Sequence, residues 1–492
     1  MPPTVAGTPG WPSGSTPAPF DGSRPGHRAG VATLGYVLTA GEPSQLLPAR
    51  EQMALTLGFH IVLVPFGVAF TFLMLVANYR ALRHGDADAL RLAERWSRVA
   101  AVLFAVGAVS GTVLSFELGL LWPRLMGRFG AAYGIPFAVE GVFFFLEAIF
   151  ISIYIYGWRR LRPWPHFWSG IPVVLAGAGG TASIIAANGW MNLPGGMTIR
   201  DGRVVDVNPF GVYFNRAFAY EYVHMLLAAY LVAGFVVAGV YAVALLRGRG
   251  DRYHRLGFLI PFTVAAILTP VQLVVGDTIT REVFHREPAK FAAVELLRET
   301  RGHVPETIGG VLVDGTVRYG VQVPDAASVL AGFDLSTRIA GLDAIPSQVR
   351  PADRLVSTVH LAFDVMVAMS LLLLGISTWF GLAWWRRRDL PRSRWFLRCA
   401  PVGGVAALVA LESGWVVTEV GRQPWTVVGL LLTRDAVTTS GDVWLFLTGA
   451  AVVLAATGVG TVLVLRRLRR TWAREDDVTV PYGPERTRVG TP

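Results

Sequence analysis

The sequence contains nine apolar runs of about 20 residues or more, the length that an α-helix needs to cross the hydrocarbon core of a bilayer. Of the 492 residues, 53% are hydrophobic and 16% are charged, whereas a soluble globular domain has about 25% charged residues. The runs therefore predict an all-α, polytopic membrane protein of about nine transmembrane helices. The predicted spans are 53–79, 98–122, 134–158, 167–190, 217–246, 256–276, 355–385, 396–420 and 441–465.

Arginines cluster after the first, third, fifth and seventh spans and in the C-terminal tail, while the short segments on the other side carry few. Positively charged residues are retained on the cytoplasmic side of a membrane protein. This bias predicts an N-terminus outside and a C-terminus in the cytoplasm, and an odd number of spans agrees with it.

The spans divide the chain into five predicted regions. Residues 1–46 are rich in Pro, Gly, Ser and Thr, which predicts a disordered extension rather than a signal peptide with its continuous apolar stretch. The other regions are transmembrane helices one to six (47–276), an extracytoplasmic loop (277–354), helices seven to nine (355–470) and a cytoplasmic tail (471–492).

Charge and cysteine content exclude several classes of function. The net charge of +10 resides mainly in arginines between apolar runs, a pattern that sets membrane topology, so we expect no nucleic-acid partner. Cys399 is the only cysteine, which excludes an internal disulfide and any cysteine-ligated zinc or iron–sulfur site.

Three of the nine histidines, His60, His224 and His360, lie within predicted spans. His60 and His224 each come about two turns from the outer side, and Met366 on the seventh span reaches a similar depth. A lone histidine in a helix is usually hydrogen-bonded to a neighbour, and a methionine there is usually core filling. Two histidines at matching depth, with no second cysteine in the chain, favour ligation of haem iron. His360 lies nearer the outer end of its span and is interpreted as a structural hydrogen-bond donor.

Several carboxylates also lie within predicted spans, where an ionised group must be paired, protonated or hydrated, and five of them are singled out. Glu140 and Glu147 are seven residues apart, which places them on one helical face about 10 Å apart along the axis. We interpret Glu147 and Glu412 at mid-membrane, with Glu140 and Glu419 in the outer third, as a proton route. The fifth is Glu117.

The outer loop contains Lys290, the only lysine in the chain, five residues before Glu295. Retention of one lysine in so arginine-rich a sequence favours a specific role for its ammonium group. The pair is predicted to exchange protons with a polar headgroup at the membrane edge.

The eighth span ends in Trp415-Val-Val-Thr-Glu419-Val-Gly421-Arg422-Gln-Pro424-Trp425, where glycine and proline stop the helix. The Gly421–Trp425 motif resembles subunit I of cytochrome bd quinol oxidase. Further resemblance, extending from about Leu47 to Arg470, lies in Ala54–His60, Gly134–Gly141, Phe145–Glu147, Asn188–Met191 and Lys290–Glu295.

The resemblance implies one set of ligands and one quinol-binding loop of the short type. His224 and Met366 would bind a low-spin haem b, while His60 and Glu419 would ligate two high-spin haems, one b-type and one d-type, in either assignment. Lys290 and Glu295 would bind quinol. The remaining implied site residues are Glu140 beside the oxygen site, Glu147 on the proton path, and Arg422 and Trp415 at the haems.

The implied reaction is oxidation of quinol at the outer face and reduction of dioxygen to water, which generates a membrane potential. The resemblance also implies that the protein lies in a bacterial cytoplasmic membrane and has a subunit II as its partner. It allows a small single-span subunit as a further partner.

The sequence departs from the family pattern at three places. Ser115 stands where many members have glutamate, with Glu117 two residues later. Asp364 stands where arginine is familiar, two residues before Met366. Glu287 replaces the usual glutamine before Pro288.

Two alternatives remain open from the residues alone. A bd-like oxidase with only b-type haems would share the fold and the ligands. A proton-coupled multi-span transporter would use the acids and histidines without haem, although the inverted repeats that many transporters carry are not seen in the sequence.

Overall fold

A computed structural model of the chain describes residues 43–388, 393–472 and 482. Within them, nine helices are long and apolar enough to cross a membrane. We name these helices and the short helices between them in chain order. The nine are α1 (Leu46–His84), α2 (Ala87–Leu121), α3 (Pro123–Gly157), α4 (Pro163–Asn192), α6 (Phe218–Leu246), α7 (Arg252–Arg286), α10 (Asp353–Arg387), α11 (Arg394–Gly421) and α13 (Val443–Trp472).

Local chemistry sets where these helices begin. The side chain of Asp86 accepts a hydrogen bond from the Ala89 amide at the start of α2, and Asp251 caps α7 in the same way. Prolines occupy the first positions of α3 and α4, where the missing amide proton costs nothing. Inside α1, Pro65 precedes a π-helical turn at Phe66–Phe70.

The bundle is built on close helix contacts at small residues. Helix α11 packs against both α6 and α10, and α6 packs against α7. A Cβ atom on Gly239 of α6 would lie 3.0 Å from the Cα of Pro401 on α11, and one on Gly404 would lie 3.1 Å from the Cα of Val236. The two backbones thus approach as closely as glycine allows, as is usual between membrane helices.

The loop between α7 and α10 folds against the end of the bundle. It opens with α8 (Pro288–Val294), followed by β3 (Glu306–Ile308), β4 (Val311–Val313), β5 (Thr316–Arg318) and β6 (Val321–Val323), then by α9 (Ala326–Gly332). Strand β4 pairs with β5, and this hairpin is nested inside the pairing of β3 with β6.

Smaller elements complete the connections on the described chain. Hairpins β1–β2 (Met197–Arg200, Arg203–Val207) and β7–β8 (Trp425–Val427, Leu431–Leu432) follow α4 and α11, and the short helices are α5 (Pro209–Tyr213) and α12 (Thr433–Ala436).

The predicted nine-span, mostly helical membrane fold is confirmed, with three differences in detail. The helices extend beyond the predicted apolar runs because polar and charged residues continue them. Helix α7 reaches Arg286, so the first ten residues of the predicted loop 277–354 are helical. The short strands were not predicted. Residues 1–42 of the predicted extension, and residues 473–492 of the predicted tail apart from Tyr482, lie outside the described residues.

Candidate functional site

His60 on α1 has a defined hydrogen-bonding arrangement. Its Nδ1 lies 2.9 Å from the hydroxyl of Ser110 on α2, and that hydroxyl donates to the Val106 carbonyl at 3.1 Å. The hydroxyl therefore accepts from the ring, which places the proton on Nδ1 and leaves the Nε2 lone pair as a ligand. A Cβ on Gly111 would lie 3.1 Å from the His60 ring, so glycine provides space at this position.

His224 and Met366 occupy helices that share a neighbour, because α6 and α10 both pack against α11. The side-chain amide of Gln272 lies 3.3 and 3.4 Å from the two ring nitrogens of His224, and one amide group at these distances holds the ring only weakly. A Cβ on Gly414 of α11 would lie 3.2 Å from the Met366 sulfur. The next residue, Trp415, packs against the core formed by α6, α7, α10 and α11.

Glu419 and Arg422 form an ion pair at the end of α11. Arg422 Nη2 donates to Glu419 Oε2 at 2.5 Å, and Arg422 Nη1 donates to Asn188 Oδ1 on α4 at 3.1 Å. Arg422 is 6% exposed, and its Nε has no hydrogen-bond partner among the described residues. A buried guanidinium with an unused donor can accept a further anionic group.

Lys290 lies in the same network although it belongs to the loop. Its ammonium group forms an ion pair with Glu287 and donates to Asn192 Oδ1 at 3.2 Å. Asn192 in turn donates to Asn188 Oδ1 at 3.2 Å, and Asn188 accepts from Arg422. The stem of Lys290 crosses Gly421, where a Cβ would lie 2.9 Å from the lysine Cγ. The sequence placed Lys290 at the membrane edge, and the structure buries it at 5% exposure.

Glu295 follows α8 and is likewise 5% exposed. Burial raises the pKa of its carboxyl well above the usual range, and the adjacent Glu306 carboxyl raises it further. His360 of α10 contacts this segment, since its Nδ1 donates to the Val294 carbonyl at 2.6 Å. The interpretation of His360 as a donor agrees with this contact.

The carboxylates within the spans differ in their surroundings. Glu117 Oε1 accepts from Gln52 at 3.0 Å and from Thr56 at 2.8 Å, so two hydrogen bonds hold this carboxyl group, although its Oε2 is buried without a partner among the described residues. Glu147 Oε1 and Glu412 Oε1 are buried without a hydrogen-bond partner in the described part of the chain. Unlike Glu117, neither of these carboxyl groups accepts a hydrogen bond from a described residue, and a buried carboxyl group of this kind holds a proton or exchanges one with water.

The predicted equal depth of Glu147 and Glu412 is wrong. A Cβ on Gly67 of α1 would lie 3.6 Å from Glu147 Oε1, whereas one on Gly58 would lie 3.6 Å from Glu412 Oε2. Nine residues of helix separate these levels by about 13 Å. The difference arises because depth counted along separate helices ignores how each helix is shifted against α1.

Glu221 is a site residue that the sequence reasoning missed. It lies in the first turn of α6, and its Oε2 is buried without a partner in the residues that the structure describes. A Cβ on Gly189 of α4 would lie 3.2 Å from that oxygen, and the charges of Lys290 and Arg422 act on it. An acid three residues before His224 on an apolar helix was the available signal.

A cavity of about 550 Å³ is lined by residues that directly follow Asn192 and precede Glu287 in the chain, the two contacts of the Lys290 ammonium group. Its lining residues are Leu193, Arg216, Glu282, His285 and Arg286. A cavity of this volume suits a small organic molecule with a polar headgroup.

Together the fold and these side chains define an integral membrane protein that carries iron-ligating residue types and unpaired acids within its spans. The family model for cytochrome bd terminal oxidase subunit I matches residues 48–472, and the chain belongs to that family. The resemblance inferred from the sequence is confirmed, and so is the enzyme class, a terminal oxidase of the cytochrome bd type.

Similar proteins support the assignment over nearly the whole chain. A Bacillus subtilis protein provisionally named cytochrome bd menaquinol oxidase subunit I is 32% identical, covering 88% of this chain and 98% of the relative. Cytochrome bd ubiquinol oxidase subunit 1 of the same organism is 29% identical, covering 90% and 97%. The solved bd oxidase from Geobacillus thermodenitrificans has 32% identity and a TM-score of 0.82, covering 88% of this chain and all of its own.

Proposed function

We propose that this chain is the haem-bearing subunit of a quinol oxidase in a bacterial cytoplasmic membrane. It would oxidise quinol at the outer face and pass the electrons to dioxygen, with its N-terminus outside and its C-terminus in the cytoplasm. The relatives named as menaquinol and ubiquinol oxidases support a quinol as the substrate. Subunit II is the expected partner, and a small single-span subunit is a further one.

The residues present fit haem groups. Gly111 and Gly414 leave open the space beside the His60 ring and the Met366 sulfur that a Cβ would fill. His60 presents a free Nε2 lone pair, and Arg422 has a spare donor for a propionate. His224 and Met366 would hold a low-spin haem b, and His60 and Glu419 the high-spin haem b and haem d, in either assignment. The haems, when bound, would supply one-electron transfer and the centre for dioxygen reduction.

The quinol end of the site would use the loop. The cavity lined by Leu193, Arg216 and Arg286 would admit the quinol near the Lys290 network. From there the Lys290 ammonium would donate to a quinol oxygen, and the Glu295 carboxyl would exchange a proton with it. Of the two arginines that line the cavity, Arg286 forms an ion pair with Glu282, and Arg216 is the second cation that could interact with an electron-rich ring.

One observation carries this proposal: a continuous chain of hydrogen bonds from the loop lysine to the proposed ligand Glu419. It runs through Lys290, Asn192, Asn188, Arg422 and Glu419, with the four links at 3.2, 3.2, 3.1 and 2.5 Å. Such a chain fixes the quinol-binding group relative to the haem-binding turn, which electron transfer between them requires.

The two acids of α3, Glu147 and Glu140, would deliver the protons that dioxygen reduction consumes. Glu147 holds an unpartnered buried oxygen on α3, and Glu140 lies two turns further along the same face. A proton on Glu147 would pass toward Glu140, which lies nearer the proposed oxygen site. Protons taken from the cytoplasm and released outside would build a membrane potential.

Quinol-dependent oxygen uptake by membranes containing this chain and subunit II tests the proposal. We expect uptake with ubiquinol or menaquinol that is lost in the matched His60→Ala membranes. Membranes that take up no oxygen with either quinol, while assembling the complex, would contradict it.

A further inference from the structure

The carboxyl groups of Glu295 and Glu306 form a hydrogen-bonded pair at the base of the loop hairpin. Glu295 is 5% exposed, whereas Glu306 begins β3 and is half-buried. The second oxygen of each carboxyl, Oε2, is buried and has no hydrogen-bond partner within the described ranges. Two carboxylates cannot share such a site while both are charged, so the pair holds a proton between them.

The electrostatic surroundings favour this shared proton. Burial raises the pKa of Glu306, and the Asp364 carboxylate raises it further, against the opposing effects of Glu295 and His360. For Glu295, burial and then Glu306 raise the pKa, and Asp364 acts in the same direction. Besides the two members of the pair, the titratable groups that act on it in the described chain are Asp364 and His360, both on α10.

His360 fixes the two segments that carry the pair. Its Nδ1 lies 2.6 Å from the Val294 carbonyl, one residue before Glu295, and its Nε2 lies 2.9 Å from the Gly309 carbonyl, three residues after Glu306. The two ring nitrogens thus each face a backbone carbonyl, so the ring of His360 bridges the segment that carries Glu295 and the segment that carries Glu306. Asp364 Oδ2 lies 3.3 Å from the same ring and accepts from the Gly309 amide.

We propose that Glu306 is a second proton carrier for quinol oxidation, which relays to the outside the proton that Glu295 takes from the quinol, and that His360 is the positioning residue for this pair. The inference rests on the proposed quinol oxidase function. The quinol loses two electrons to the haems and two protons in all. For one of these protons, the quinol O–H bond breaks as an O–H bond forms on Glu295, and the proton already shared passes to Glu306 and then to water.

The relay is tested in the assembled complex by oxygen uptake with quinol as a function of pH. Glu306→Gln keeps the shape of the side chain and removes its titration, and Glu299→Gln changes an exposed acid of the same loop as a matched control. We expect Glu306→Gln to lower kcat about tenfold without a change in KM, and Glu299→Gln to leave both unchanged.

The pH profile separates a relay from a structural role. Removing Glu306 removes a group that raises the pKa of Glu295, so the acidic limb of kcat should move to lower pH by about one unit. The double variant Glu295→Gln/Glu306→Gln should be no slower than Glu295→Gln alone, because Glu306 acts through Glu295. Oxygen uptake with an artificial donor that reduces the haems directly should stay at the wild-type rate.

A wild-type kcat and acidic limb in Glu306→Gln would overturn the relay and leave the proposed function standing. If Glu306→Gln does not assemble, infrared spectra decide the question. The shared proton requires a band of a protonated carboxyl group in the wild-type complex, and this band should be missing in Glu295→Gln. Absence of that band would overturn the relay. A wild-type complex with no quinol-driven uptake would overturn the proposed function and the relay together.

Discussion

Lys290 Nζ donates a hydrogen bond to Asn192 Oδ1 at 3.2 Å, across 98 residues of sequence. This contact joins the loop that follows α7 to the last residue of α4. Since Asn192 also donates to Asn188, which accepts from Arg422, the position of the lysine depends on the turn that ends α11. Substrate binding and haem binding are thus expected to be structurally coupled.

Replacing Lys290 tests the loop end of this network. Lys290→Met should raise the KM for quinol and lower thermal stability by about 3 kcal/mol, because Glu287 would be left as an unpaired buried carboxylate. The double variant Lys290→Met/Glu287→Gln should recover the stability while the KM stays high. Thermal loss of haem absorbance and steady-state kinetics measure the two effects. Recovery of the KM together with stability would show that Lys290 serves only folding.

The ligand role of Met366 can be separated from packing with a neighbouring methionine. Met366→Leu keeps the volume and removes the thioether, so the low-spin haem b bands should be lost while high-spin absorption stays. Met369→Leu, which alters a methionine three residues further along the same helix, packed against the core that Trp415 also contacts, should leave the spectrum unchanged. Reduced-minus-oxidised spectra record both. A normal low-spin spectrum in Met366→Leu would remove Met366 from the ligand set.

The two kinds of membrane acid should respond differently to amide substitution. Glu147→Gln should lower turnover about a hundredfold, since its carboxyl oxygen is unpartnered and proposed to carry protons. Glu117→Gln should change thermal stability but retain turnover per folded complex, because Glu117 is held by Gln52 and Thr56. Oxygen uptake normalised to haem content is the measurement. Equal losses of turnover in both variants would contradict a proton route through Glu147.

The sequence was sufficient for the nine-span fold and for the family. Apolar run length decided the number of spans, because a membrane-crossing helix must be apolar over a fixed length. The Gly421–Trp425 turn and the short segments Ala54–His60 and Lys290–Glu295 pointed to the family. These signals are local, so one chain suffices to show them.

What the sequence did not show depends on contacts between distant segments. The burial of Lys290 requires α4 and α8 to meet, and the depths of Glu147 and Glu412 depend on how α3 and α11 are placed against α1. Glu306 lies in a polar loop, where an acid is usually solvated, and only the hairpin brings it to Glu295. Glu221 was missed because an acid in the first turns of a helix is commonplace.

Asp86, between α1 and α2, allows a prediction about stability and pH. Burial raises the pKa of its carboxyl, but hydrogen bonds from Arg252, the Ala89 amide and Arg80 outweigh burial and hold the pKa below its usual value. A lowered pKa means that the stabilisation is present above the unfolded value of 3.8 and is lost as pH falls through the folded value.

Asp86→Ala should therefore lower the free energy of unfolding by about 1 kcal/mol at neutral pH, chiefly through loss of the helix cap. The difference from wild type should disappear under acid conditions. Thermal unfolding of the purified complex at several pH values measures this. If the stability difference between wild type and Asp86→Ala grew as the pH fell, the lowered pKa of Asp86 would be contradicted.

A reduced-minus-oxidised optical spectrum of the purified complex tests the central claim most directly. We predict b-type haem bands together with a far-red chlorin band from haem d, at three haems per copy of this chain. The b-type bands alone would keep the oxidase and replace haem d by haem b. A complex that is folded and shows no haem absorption would contradict the oxidase function. It would favour the alternative of a proton-coupled transporter that uses the membrane acids.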